Sequence, residues 1–463
     1  MSNFSPDLLA QRRYQIVGLG RNGLPAARAL RDMGAQVTVW DDAPASRAAA
    51  QIEGLTLHDP AQGLAGFTAL ILSPGIPHNL PTPHFAATAA RAAGVPILSD
   101  AEILYEAVRA SGSKARFVGI TGTNGKSTTT SLIAHIIAQA GLPVAAGGNL
   151  GPAALALPLL GDTGIYVLEM SSYMLERIAS LRFDAAVMLN ITQDHLDRHG
   201  DMAGYAIAKK AVFARQQAGD LAVCGIDDDP SRNLARELAQ SPAKLVLISD
   251  HARAESHPDC RPNLWPENGK LYTQDGVRFD LRTAPALPGG HNGENIAASL
   301  AVADYLGIDP ATSAAAVQSF PGLPHRQSLI AQTGGIVWID DSKATNADAA
   351  SRALACYDHV IWIAGGIAKA GGIESLASYF PRVTYALLIG HDAPQLAATL
   401  RAHDVPHRIV GTMDNAVAAA AELAHSQSVP VVLLSPACAS FDQYAGFEAR
   451  GLHFAQLVHE RTG

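Results

Sequence analysis

Cysteine is scarce in this chain, and the four present, Cys224, Cys260, Cys356 and Cys438, lie far apart with no CxxC pair. A disulfide framework and a zinc site are therefore not what organises it, and reduced thiols in a cytosolic protein are expected. Basic charge is also short: 34 Lys and Arg stand against 42 Asp and Glu, a formal net charge of -8. No overall positive field exists to hold nucleic acid or acidic lipid by counterion release, so neither is expected as a partner. Long apolar runs are missing as well. The segment from Met1 to Arg13 mixes acidic, basic and polar residues, and no signal peptide or membrane span is visible. A cytoplasmic location is expected. An anionic substrate must then be held by local donors and metal ions.

What is present is the composition of an α/β enzyme: 48% apolar, 16% charged, with 41 Gly and 27 Pro. At 463 residues the chain is too long for one core, and about three domains are expected. Strand and helix patterns alternate in three blocks, which implies parallel sheets with ligands at the strands' C-terminal ends. The first block opens at Tyr14–Gly18, the second at Arg116–Thr121, and the third near His325.

Strand Arg116–Thr121 runs into Gly122-Thr123-Asn124-Gly125-Lys126-Ser127, with a helix expected from Thr128. A tight glycine turn lets backbone N–H groups approach phosphate oxygens at the positive end of a helix dipole. Lys126 offers a point charge for phosphates, and the Ser127 hydroxyl can ligate Mg²⁺. The general Walker spacing needs glycine where Ile120 stands, so the loop is a variant. An ordinary glycine turn would not need Lys-Ser in this register.

Glu169 closes the apolar strand Ile165–Leu168, and His195 follows the strand that ends at Asn190. In a parallel sheet both fall at the phosphate-loop edge, where a carboxylate and an imidazole can hold Mg²⁺. Asp201–Gln216 reads as a helix with Met202, Tyr205, Val212 and Phe213 on one face. At 100° per residue Lys209 falls in the middle of that face and Lys210 points away. A buried lysine loses its proton readily and can add CO₂ as a carbamate; helical phase alone favours a lysine that snorkels to solvent instead. Gly18-Leu19-Gly20-Arg21-Asn22-Gly23, with Asp41 at the end of the next strand, reads as a pyrophosphate turn. Cys438, Trp338 and Trp362 read as core, and His251, His257 and His403 as surface.

Taken together, Gly122–Thr128, Glu169-Met170-Ser171-Ser172, Asn190–His195, and Lys209 four residues after Tyr205 resemble the Mur ligases. So do Gly290–Asn295 and Leu323–Arg326, and the likeness runs along essentially the whole chain in order. The resemblance implies an α/β protein of three domains: 1–113, Rossmann-like and UDP-binding; 114–322, a central P-loop ATPase; 323–463, Rossmann-like and bringing the amino acid. Asp341–Asn346 and Ser435–Ser440 are similar to the D-glutamate-adding branch. That branch implies ATP-dependent ligation of D-glutamate to UDP-N-acetylmuramoyl-L-alanine through an acyl phosphate, in peptidoglycan precursor synthesis, by a monomer.

The resemblance also assigns roles. ATP is met by Gly122 to Thr128 (Gly122, Thr123, Asn124, Gly125, Lys126, Ser127 and Thr128), with Asn292 and Asn295 at the adenine and Arg326 with Asp341 from the third domain. Ser127 and Glu169 hold one Mg²⁺, and His195 with carbamylated Lys209 a second. The UDP-sugar substrate is lined by Gly18, Gly20, Arg21, Asn22, Gly23, Asp41, Ser73, Gly75, Asn149, Ser171 and His195. Lys343, Thr345, Lys369, Ser440 and Phe447 match glutamate-binding positions. Met174 stands where the family commonly has Gln, which takes a polar group from the substrate's surroundings. The linker before the third domain is expected near Phe320–Arg326. Three other readings stay open: a folylpolyglutamate synthase-like ligase of the same superfamily, an NAD-binding oxidoreductase built on the first glycine turn, and a non-catalytic nucleotide-sensing module.

Overall fold

The computed structural model describes residues 4–253, 258–369 and 371–462, so His257 lies outside the described residues. Two compact units emerge: Met1–Leu281 with Gly293–Ser319, and Arg282–Asn292 with Phe320–Gly463. No helix among the described residues is long and apolar enough to cross a membrane.

The first unit contains two parallel sheets. One is built from β1 (Arg13–Val17), β2 (Gln36–Trp40), β3 (Thr56–Leu57), β4 (Ala69–Leu72) and β5 (Ile97–Leu98), in the order β3-β2-β1-β4-β5. The chain leaves β1 towards β2 and β3, then returns to its other side for β4 and β5. The crevice between the C-terminal ends of β1 and β4 is thus a topological switch point, where open α/β sheets bind ligands.

The other comprises β6 (Arg116–Thr121), β7 (Val144–Gly148), β8 (Ile165–Glu169), β9 (Ala185–Met188), β10 (Leu221–Gly225) and β11 (Lys244–Ile248), ordered β11-β10-β9-β6-β8-β7. Here β6 is the switch strand, with β8 on one side and β9 on the other. Strand β6 is buried except at Arg116, as a strand covered on both faces must be. β7 was not anticipated from the sequence, because Val-Ala-Ala-Gly-Gly carries little strand propensity. A small antiparallel sheet follows, β12 (Trp265–Glu267), β13 (Lys270–Thr273) and β14 (Gly276–Asp280).

The helix expected over Asp201–Gln216 is shorter. It spans Met202–Lys210, capped by the Asp201 carboxylate on the Gly204 N–H at 2.8 Å, and tightens into a 3₁₀ turn at Ala211–Phe213. The Gln216 amide donates to the Leu221 carbonyl at 2.6 Å, drawing the chain away towards β10. Val212 and Phe213 still face the core, together with Tyr205.

The second unit carries β15 (Ser328–Thr333), β16 (Ile336–Asp340), β17 (Val360–Gly365), β18 (Val383–Ile389), β19 (His407–Gly411) and β20 (Val431–Leu434), ordered β15-β16-β20-β17-β18-β19. The expectation of purely parallel sheets fails at β15, which pairs antiparallel with β16. Gly334 and Gly335 join them with φ of 57° and 81°, the pair of positive values that a two-residue hairpin turn needs. Trp338 and Trp362 are core residues, and Cys438 is fully buried, its thiol pushed up to about 12 by burial.

Candidate active site

The phosphate loop leaves the C-terminal end of β6 and enters helix Lys126–Gln139, two residues earlier than expected. Gly125 has φ +85°, and a Cβ there would collide with the Asn295 side chain. Asn190 braces the loop from β9: its side-chain oxygen accepts from the Asn124 N–H at 2.9 Å, and its amide donates to Glu294 at 3.1 Å. Asn295 accepts from the Thr129 hydroxyl at 3.1 Å. Lys126 Nζ donates to the Gly122 and Thr123 carbonyls, both at 2.8 Å.

Lys209 reaches the same loop. The residue is 1% exposed, and its amine donates to the Gly122 carbonyl at 2.6 Å and sits 4.7 Å from the centre of the Tyr205 ring. Burial, reinforced by the Lys126 charge, holds this amine well below the ordinary lysine range. The snorkelling alternative is absent here; Lys210 instead lies outside, paired with Glu237. Glu169 ends β8 beside Ile120 of β6 and is buried. One carboxylate oxygen accepts from the Asn149 amide at 2.7 Å, while the other, also buried, has no hydrogen-bond donor. A buried carboxylate oxygen without a donor is costly unless a cation meets it, so the site fits a divalent ion.

His195 ends the loop after β9, just before the short helix Leu196–His199, with a left-handed φ of 52°, a strained value for a residue with a side chain. Burial lowers its imidazole pKa, with Lys126 and Lys209 adding to the effect and Asp194 opposing it. Ser127 and Thr128 lie buried in the first helical turn. Ser171 caps the short helix after Glu169 by accepting from the Met174 N–H at 3.3 Å; Met174 itself is buried in the core. The structure thus brings Lys126, Ser127, Glu169, His195 and Lys209 to one edge of the second sheet.

The switch point of the first sheet opens into a cleft of about 470 Å³ lined by Gly18, Gly20, Arg21, Asn22, Asp41, Ser73, Gly75 and Asn149, all anticipated. Pro74, within the anticipated Ser73-Pro74-Gly75 stretch, lines it too; Asp42 and Ile76 also do and were not singled out, although each adjoins a residue that was. A Cβ on Gly20 would meet nothing within 4 Å, so that glycine leaves room beside the cleft. Gly23 does not line it. A Cβ there would collide with the Gly18 carbonyl, so its role is close packing of helix on strand. Asp41 accepts from the Leu19 N–H at 2.7 Å and the Ala43 N–H at 2.9 Å, fixing the turn.

In the second unit Asp341, Lys343, Thr345, Lys369 and Ser440 lie on three loops at the C-terminal ends of β16, β17 and β20; Phe447 opens the helix after the last of them, and Arg326 precedes β15. Asp341 is buried, accepts from Ser435 Oγ at 2.7 Å, and has its carboxyl pushed up to about 7 by burial, against the pull of Ser435 and Arg326. Asn292 donates to the Pro288 carbonyl at 2.6 Å within the same unit. The Lys343 amine lies 5.6 Å from the Phe447 ring centre, Thr345 follows on the same loop, and Ser440 is buried after β20. Lys369 is exposed on the loop after β17. Sequence reading missed Arg450, 1% exposed, which ties all three loops together. It donates to the Ser342 carbonyl and hydroxyl, the Gly365 carbonyl and the Cys438 carbonyl at 2.8 to 3.3 Å.

Residues 120–303 match the Mur ligase middle domain, and residues 325–438 match the Mur ligase glutamate ligase domain. With relatives up to 49% identical along nearly the whole chain, the protein belongs to the Mur ligase family. Those relatives carry one name, UDP-N-acetylmuramoylalanine–D-glutamate ligase. That of Paramagnetospirillum magneticum is 49% identical over 98% of both chains. That of Rhodospirillum rubrum is 47% identical over 96% of this chain and 93% of its own. Among solved structures, the UDP-N-acetylmuramate-alanine ligase of Thermotoga maritima shares the fold, with a TM-score of 0.60 at 17% identity over 97% and 99% of the two chains. MurF of Acinetobacter baumannii does so at 0.57 and 16% identity, over 87% and 92%.

Proposed function

We propose that this protein joins D-glutamate to UDP-N-acetylmuramoyl-L-alanine with conversion of ATP to ADP, a cytoplasmic step of peptidoglycan precursor synthesis. The observation that carries the reading is the convergence of Lys126, Lys209 and an open Glu169 oxygen at the phosphate-loop edge of a chain 49% identical to a ligase of that name. In this reading 1–113 holds the UDP moiety, 114–322 holds ATP, and 323–463 brings glutamate.

The acceptor carboxylate attacks the γ-phosphorus of ATP, giving an acyl phosphate and ADP. The glutamate amine then attacks the acyl carbon, and the tetrahedral intermediate expels phosphate as the C–N bond is completed. Lys126 lies on the loop that cradles the phosphates, where a fixed positive charge stabilises the transferring group. Ser127 and Glu169 would hold one Mg²⁺, and His195 with Lys209 a second; bound there, the ions neutralise charge on the phosphoryl oxygens. Lys209, whose hold on its proton is weakened by burial, is suited to attack CO₂ and lose a proton, becoming a carbamate with an oxygen to offer a metal. Asn292, Asn295, Arg326 and Asp341 serve ATP, and Lys343, Thr345, Lys369, Ser440 and Phe447 serve glutamate.

The test is ADP and phosphate release from ATP with UDP-N-acetylmuramoyl-L-alanine, comparing D- with L-glutamate, and mass analysis of the product. Release should require all three substrates and the D-isomer. Turnover of a folate acceptor instead, or NADH-linked oxidation, would replace the reading.

A further inference from the structure

The loop after β4, which forms one wall of the first-sheet cleft, is held from behind by a buried cation. Arg177 is 2% exposed. Its Nη1 donates to the Leu72 carbonyl at 3.0 Å and the Ser73 carbonyl at 3.3 Å, and its Nη2 to the Ile76 carbonyl at 2.6 Å. Its Nε donates to His78 Nδ1 at 3.2 Å. Burial, helped by this guanidinium, drives the His78 imidazole down to about 4, so it serves as a neutral acceptor. Arg177 itself is lowered by burial to about 10 and stays charged at neutral pH.

Among the described residues no carboxylate lies within 4.0 Å of that guanidinium. Glu176, the acid that acts on it electrostatically, is engaged instead by His199 Nδ1 at 3.2 Å. A buried cation without a counter-ion is costly, and an anion brought close offsets that cost. The position of Arg177 is set independently of any ligand. Its carbonyl accepts from the Ser99 N–H at 2.8 Å, and the next turn is gripped by Glu102, which accepts from the N–H groups of Ala179, Ser180 and Leu181 at 2.6 to 3.0 Å. The far side of the loop is the cleft: Ser73, Pro74, Gly75 and Ile76 line it, and the Ser73 hydroxyl donates to Gly18 in the glycine turn. Drawing the loop's carbonyls onto the guanidinium turns their negative ends away from the cleft and leaves the positive charge behind its wall.

We propose that Arg177 is a positioning residue that makes the cleft select a nucleoside diphosphate over the neutral nucleoside, acting through loop 72–76. The inference rests on the cleft being the UDP-sugar site. It is tested with the full chain by measuring binding of UDP and of uridine to wild type, Arg177→Lys and Arg177→Gln. Both replacements lose the guanidinium fork, but only lysine keeps the charge. The ratio of UDP to uridine affinity should be about tenfold lower in the glutamine variant than in the lysine variant; a purely structural role would weaken both ligands alike. Equal ratios overturn the inference. Glu176→Gln removes the opposing charge at a more tolerant position and should raise the ratio about threefold; an unchanged or lower ratio again overturns it, even where the arginine variants do not fold. Wild type that binds no UDP takes down the cleft reading as well, whereas wild type that binds UDP with unmoved ratios takes down Arg177 alone.

Discussion

Lys126 and Lys209 donate to the same atom, the carbonyl oxygen of Gly122, at 2.8 and 2.6 Å. Two amines meeting on one acceptor repel each other, and the buried one yields: Lys209 is the group whose charge is suppressed, with Lys126 among the causes. In the proposed mechanism the pair divides the labour: Lys126 meets phosphate and Lys209 takes up CO₂.

Lys209→Ala should reduce ligation at least a thousandfold while ATP binding changes little, because Lys126 remains on its loop. Short carboxylates such as acetate, supplied in the buffer, should restore part of the rate by replacing the carbamate. ADP formation with and without acetate checks this; full activity of the variant in CO₂-free buffer would remove the carbamate from the mechanism.

The same lysine makes stability depend on pH. Its folded pKa lies well below the ordinary value of 10.5, so between the two the unfolded chain binds more protons than the folded one. Stability contributed at this position therefore rises with pH up to about 10.5 and is poorest below the folded pKa. In CO₂-free buffer Lys209→Met should have the higher melting temperature at pH 7, by several degrees, and its advantage should shrink towards pH 10. Thermal melts across that range decide the sign.

Glu169→Gln keeps an oxygen to accept from Asn149 but removes the negative charge beside the donor-less position. The magnesium concentration giving half-maximal ADP formation should rise at least tenfold, with little change in the Michaelis constant for glutamate. A magnesium titration of initial rates measures it, and an unmoved midpoint would assign the metal elsewhere.

Glu102 is fully buried, with both oxygens taken by the N–H groups of residues 179–181 and the Ser180 hydroxyl. Glu102→Ala leaves the buried Leu181 N–H and the part-buried donors of residues 179 and 180 without this acceptor, which costs about 3 kcal/mol. Urea unfolding at constant m-value is the measurement, and a loss under 1 kcal/mol would mean water replaces the carboxylate.

Much of the site was legible because its chemistry sits directly after strands. The Gly122–Ser127 loop, Glu169 and His195 each follow an apolar run, and strand order alone carries them to one edge. Helical phase put Lys209 on the apolar face but left it free to snorkel, and only the family resemblance pointed to its burial; the helix itself stops at Lys210, where Gln216 finds a partner outside it. The antiparallel β15 was written in Gly334-Gly335, a hairpin signal that the regular alternation of strand and helix obscured. Arg177 and Arg450 left no local signal. Each spends its hydrogen bonds mainly on carbonyls far along the chain, and a carbonyl looks the same beneath every residue type.

That indifference has a consequence for how the sheet of the second unit can change over time. Arg450 grips its three loops through backbone oxygens at Ser342, Gly365 and Cys438, with only the Ser342 hydroxyl contributed by a side chain. Neighbouring side chains can be exchanged without loosening the clasp, so a new incoming partner could be accommodated by altering loop residues while the scaffold that aims them stays as it is.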